Sequence, residues 1–61
     1  ASVVAINNIS PGEILSYDNI WVKRPGTGQI LAKDFKSLLG RVSQSFIVKD
    51  SQLTWEDLRD E

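Results

Sequence analysis

The feature that most constrains this chain is a repetition of residue types at a spacing of thirty-eight positions. The segment Ile9–Ile20 lies over Ile47–Leu58. Ile9 matches Ile47 and Leu15 matches Leu53, while Ser16/Thr54, Tyr17/Trp55, Asp18/Glu56 and Ile20/Leu58 are conservative replacements. Upstream, Val4 falls on Val42 and Ala5 on Ser43. Each copy reads as strand, turn, apolar return, hydroxyl cap and an aromatic on a short helical turn. Two copies are too few for a solenoid, whose stacking needs three or more. The pattern therefore predicts two interlocked half-modules sharing one small core, one on each side of a central loop.

The length of 61 residues leaves room for one domain, spanning residues 1–61. A chain this short is marginal on its own, because it buries only ~60% of its unfolded surface. It has no cysteine and no histidine. Disulfides, a thiolate nucleophile, the usual general base and a zinc centre are thereby set aside. A net charge of −1 with seven scattered cations is a poor basis for non-specific nucleic-acid binding. No apolar run approaches membrane-spanning length and no signal peptide is read, so neither nucleic acid nor membrane is an expected partner. The absence of cysteine fits a cytoplasmic location.

The local reading is mostly β with short helical turns. Ser2–Ile6 is β-branched and apolar, a buried strand. Ser10-Pro11-Gly12-Glu13 is a turn, and Ile14 and Leu15 return to the core. Ser16 caps a short helical turn over Tyr17–Ile20. Trp21-Val22-Lys23 is a strand, and Gln29–Lys33 is irregular. Ala32–Leu39 makes two helical turns whose Phe35, Leu38 and Leu39 cover one face, with Gly40 as the C′ residue. Arg41–Phe46 is a second strand, Val48–Ser51 a turn, and Leu53 core. Thr54-Trp55-Glu56-Asp57 is a capping box. Trp21 and Trp55 could stack on a sugar face, Trp21 more readily since it is three residues from Arg24, but both, with Tyr17, are expected to pack in the core.

Between the two copies lies Lys23-Arg24-Pro25-Gly26-Thr27-Gly28. Proline fixes φ after Arg24 and pushes Arg24 itself towards extended geometry. Glycine beyond it turns the chain. A cation held this way points in one direction, which suits presentation of a guanidinium to a ligand; the plainer reading is a loop with two solvated charges. The glycine spacing fits neither a dinucleotide fingerprint nor a P-loop. Thr27 Oγ1 is expected to bond a nearby backbone group. Asp18, Glu56 and Asp57 are explained by first-turn positions, so no carboxylate pair for catalysis is read. Lys33, Lys36 and Lys49 read as solvated charges.

Taken together, Ser2-Val3-Val4-Ala5, the Gly12-Glu13 turn with Leu15, the block Asn19–Gly28 and the step Leu39-Gly40-Arg41 resemble the C-terminal domain of bacterial sialic acid synthases. That domain belongs to the SAF, or type III antifreeze-like, family. The resemblance covers nearly the whole chain and implies a β-clip fold with internal pseudo-two-fold symmetry. In the family this domain follows a TIM barrel that condenses phosphoenolpyruvate with N-acetylmannosamine or a related amino sugar. A divalent metal, manganese or magnesium, is expected in that barrel and no cofactor in this domain. The implied partner is the barrel of the other subunit in a domain-swapped homodimer. By motif position, Arg24 is the residue that reaches the sugar, with Lys23, Pro25, Gly26, Thr27 and Gly28 as its supporting loop. Two departures stand out. Ala1 replaces a usual arginine, and the tail Thr54–Glu61 resembles pseudaminic acid synthases, which leaves the sugar open.

Two functions follow. One is a non-catalytic domain that covers the active site of a sialic acid synthase-like transferase. The other is a free-standing SAF-type binding module for carbohydrate or, at its extreme, ice. The Lys23-Arg24 pair and the scattered charge oppose ice binding, which favours a flat, weakly charged face.

Overall fold

The computed structural model describes residues 1–24 and 27–59. Its centre is strand β1, Ser2–Ala5, with every residue buried. Along one edge β1 pairs antiparallel with β2, Ile20–Lys23, in the register Ser2↔Lys23, Val3↔Val22, Val4↔Trp21 and Ala5↔Ile20. Its other edge is shared by two irregular segments. Val3 donates to the Ile30 carbonyl (2.9 Å) and accepts from Leu53 (3.0 Å), while Ala5 donates to Ser51 (2.9 Å) and accepts from Asp50 (2.8 Å). A strand flanked on both edges and covered on both faces has no solvated side, which is why Ser2–Ala5 reads as a continuous run rather than an alternation.

The repeat recurs bond for bond. Ile9 and Ile47 pair with each other, each donating to the other's carbonyl at 2.8 Å. The bridge Val4↔Gln52 has its counterpart in Val42↔Ile14, and Ala5↔Ile20 in Ser43↔Leu58. Leu53→Val3 O (3.0 Å) is matched by Leu15→Arg41 O (2.8 Å), and Ala5→Ser51 O (2.9 Å) by Ser43→Glu13 O (3.0 Å). The turn residues agree as well: Gly12 has φ +90° and Asp50 has φ +72°. A left-handed residue is required at that point of each turn, and Asp is among the few non-glycine residues that tolerate it.

The capping signals are met in both copies. Thr54 N–H donates to the Asp57 carboxylate (3.0 Å), and Ser16 N–H donates to Asn19 Oδ1 (2.8 Å). The second copy forms a 3₁₀ turn, Trp55–Asp57. In the first, Ser16 closes a turn through Asn19 and Ile20, and Ile20 already begins β2. The expected helical turn over Tyr17–Ile20 is therefore a hydrogen-bonded turn over 17–19 and not a helix. The helical turns over Ala32–Leu39 divide into a 3₁₀ turn, Ala32–Asp34, and α1, Phe35–Leu38, followed by Gly40 at φ +89°. Phe35 and Leu38 enter the core with Ile9, Leu15, Ile20, Ile30, Ile47, Leu53 and Leu58, and Leu39 packs against it.

Three expectations are corrected. Arg41–Phe46 is not a continuous strand; only Val42 and Ser43 form bridges. The Ser43 hydroxyl donates to the Ser45 carbonyl (2.6 Å), which curls the chain and spends the group locally. Ile14 is 60% exposed, because Leu15 beside it points inward and an extended backbone sends neighbours to opposite faces. The same alternation puts Ile20 and Val22 inward on β2 and leaves Trp21 49% exposed. Trp55 is 42% exposed at the first position of its turn, and Tyr17 is exposed as well. Trp21 and Tyr17 are nonetheless packed. They lie over Phe35, with Trp21 edge-on at a ring separation of 5.5 Å and Tyr17 at 5.6 Å, so they shield the core from outside.

Candidate functional site: the loop that carries Arg24

Arg24 follows the last residue of β2 and is exposed. Before it, Lys23 is fixed twice: its backbone pairs with Ser2, and its ammonium lies 3.4 Å from Asp50. Both partners of that ion pair are well exposed, so it contributes direction more than stability. Pro25 and Gly26 lie outside the described residues. Beyond them, the Gly28 N–H donates to the Ser2 hydroxyl (3.2 Å), and Gln52 Nε2 donates to Thr27 Oγ1 (3.0 Å). The partner of Thr27 is thus a side chain of the second copy, not the backbone group anticipated from local sequence.

Ser2 is the hub of this arrangement. It pairs with Lys23 on one edge of β1 and with Leu31 on the other, and its hydroxyl holds Gly28 between them. Lys23 thus lies on one edge of the central strand, Ile30 and Leu31 on the other, and Gly28 against the Ser2 hydroxyl at its end. Gly28 is needed there for proximity. A Cβ at this position would stand 3.1 Å from Ser2 Cβ and 3.2 Å from Gln52 Cδ. Further along, Gln29 Oε1 accepts from the Trp55 N–H (3.1 Å), and Ile30 is fully buried.

Elsewhere in the first copy, the Glu13 carboxylate accepts from the Asn19 amide (3.0 Å) and the Ser10 N–H (3.1 Å). These two bonds, the Asn19 one first, hold its pKa below the usual carboxylate range against a small opposing effect of burial. Among the described residues no group of three or more His, Cys, Asp or Glu is arranged to hold a metal. No helix among them is long and apolar enough to cross a membrane.

The structure brings Lys23, Arg24, Thr27 and Gly28 into one strapped loop. Sequence reasoning missed Ser2, Gln29 and Gln52 as its anchors. A signal for Gln52 was present: it breaks the repeat, since its counterpart is Ile14.

Short strands and single turns interlocked about a pseudo-two-fold define the β-clip, antifreeze-like class of small domain. The SAF domain family model matches residues 1–59, and the chain belongs to that family. Over its full length it superimposes with a TM-score of 0.90 on the antifreeze protein like domain in the human N-acetylneuraminic acid phosphate synthase gene, at 27% identity and covering 77% of that chain. It is also 44% identical, over 93% of its residues, to the uncharacterized protein MJ1065 of Methanocaldococcus jannaschii. The chain spans only 17% of that relative's length.

Proposed function

We propose that this domain is the non-catalytic cover of a sialic acid synthase-like enzyme, closing over the barrel active site of the partner subunit and supplying Arg24 to the amino sugar. The observation that carries this reading is the form of the Arg24 loop: an exposed guanidinium follows a paired strand end, and the chain beyond it is strapped to the buried Ser2. A loop serving only as a connection has no need of anchors on both sides of its charge. Arginine suits a neutral acylamino carbonyl, because it stays charged and offers several donors in one plane. The similarity to the human synthase domain supports the enzyme class. The divalent metal and the groups that activate phosphoenolpyruvate belong, on this reading, to the barrel, and the enzyme works as a homodimer in the cytoplasm.

The test is steady-state kinetics of the full-length enzyme with each substrate varied in turn. Arg24→Ala is expected to lower kcat/KM for the sugar by roughly ten- to a hundred-fold, the loss of a charged hydrogen bond of ~1.5–3 kcal/mol. The KM for phosphoenolpyruvate stays near wild type. An unchanged kcat/KM for the sugar would make Arg24 a plain surface charge.

A further inference from the structure

We propose that Trp21 is a second contact for the amino sugar, with its indole stacked on the pyranose ring; this rests on the reading of Arg24 as the sugar contact. Trp21 lies on β2 three residues before Arg24, so the two backbones are no more than about 11 Å apart. Its side chain is half exposed and held in place. Phe35 stands at 80° to it with 5.5 Å between ring centres, and Tyr17 lies 6.2 Å away. Two neighbouring rings fix the indole, so little freedom is lost when a ligand meets it. The register sets Trp21 beside Val4, and a bridge sets Val4 beside Gln52, so the three share the outer face of the strands. Val4 is buried yet stands apart from the core cluster, which makes it the apolar floor of this face. Lys23, two residues after Trp21, lies on the same face and reaches Asp50 at 3.4 Å.

The chemistry of this face fits a neutral sugar. An indole face is the negative side of an aromatic quadrupole and attracts the C–H groups of a sugar ring. The hydroxyls at the edge of that ring need donors and acceptors, and these stand beside the indole. Gln52 binds Thr27 through Nε2, which leaves Oε1 to accept. The Lys23–Asp50 pair offers both signs and no net charge, which favours a polyhydroxyl ligand over an ionic one. The internal repeat shows that the fold does not require these residues. Trp21, Gln52 and Asp50 correspond to Arg59, Ile14 and Gly12, at the same ladder positions and over the same core. Asp50 keeps φ +72° where the other copy uses glycine, and its carboxylate meets Lys23. Side chains that the fold can replace, and an unfavourable backbone angle kept for a charge, mark this face for binding.

The experiment uses the full-length enzyme with N-acetylmannosamine and phosphoenolpyruvate varied separately. Trp21→Leu removes the aromatic face and keeps an apolar cover beside Phe35. It is expected to raise the sugar KM about three- to ten-fold, the scale of one aromatic contact. The phosphoenolpyruvate KM and the dimer stay unchanged. Trp21→Phe keeps an aromatic face and is expected to recover most of the sugar KM; it also serves where Trp21→Leu does not fold. Tryptophan emission of the wild type should shift on addition of N-acetylmannosamine, and Trp21→Phe should lose that shift, a signal that a merely structural ring would not give. A wild-type sugar KM for Trp21→Leu, in an enzyme where Arg24→Ala loses it, overturns the stacking role and leaves the role of Arg24 intact. An emission shift that persists in full in Trp21→Phe overturns it too. A fall in kcat/KM for both substrates with a weaker dimer assigns this face to protein docking and likewise overturns the sugar contact. If Arg24→Ala is itself without effect, the function proposed for the loop fails and this inference fails with it.

Discussion

Ile9 and Ile47 occupy equivalent places in the two halves of the chain and hydrogen-bond to each other, each N–H to the other's carbonyl at 2.8 Å. A reciprocal pair between equivalent residues marks the pseudo-two-fold axis. Both side chains lie in the single core, together with the equivalent Leu15 and Leu53.

Leu53 is fully buried beside that axis. Leu53→Ala is expected to cost ~2–5 kcal/mol, a large fraction of the stability of a domain this small. Thermal denaturation followed by circular dichroism checks it, and a mutant that melts like wild type would remove Leu53 from the core.

Gly12 tests the turn chemistry apart from packing. Nothing lies within 4 Å of where its Cβ would be, so the cost of Gly12→Ala comes from φ +90° alone. That cost is expected to be about 1–2 kcal/mol. Gly12→Asn should recover part of it, as Asp50 at φ +72° shows a short polar side chain doing in the other half. Chemical denaturation of both variants decides; equal stability of Gly12→Ala and wild type contradicts the argument.

Glu13 makes stability pH-dependent with a definite sign. Its native pKa is lowered by the Asn19 and Ser10 hydrogen bonds. The unfolded chain therefore takes up its proton first as pH falls. The stabilisation is complete above the ordinary carboxyl range of ~4–4.5 and is lost as pH drops through the lower native value. Melting curves between neutral pH and strong acid should show a smaller acid-side loss for Glu13→Gln than for wild type, and parallel losses would argue against it.

Arg24→Lys should restore the sugar kcat/KM only in part, because an ammonium cannot reproduce the planar fork. Full recovery in the same kinetic assay would mean that charge alone matters at this position.

The repeat, the core leucines, the helical turns before Gly40 and the Thr54–Asp57 box were legible because each depends on local spacing or on a pattern that occurs twice. Ser10–Glu13 was legible from its proline and glycine. The exposure of Trp21 and Ile14 was misjudged because large apolar side chains suggest burial, while the alternation of the extended backbone decides which face each takes. Arg41–Phe46 had strand composition, yet the Ser43 hydroxyl diverted the backbone. At the site, the residues that follow β2 were legible as a motif. The anchors Ser2 and Gln29 were not, because long-range partners leave little trace in one sequence, and Gln52 showed only as a departure from the repeat.

The crossing of the two halves has a consequence for how the chain could be divided. Ala5 is completed by Ser51 of the second half, and Ser43 by Glu13 of the first. Neither half is a smaller protein; each alone would expose the edge of its own strand. In the intact chain that edge is covered by the other half. The domain is thus a dimer whose two subunits share one backbone. Fragments made by a cut between them are expected to be unfolded apart and to regain structure only by complementation.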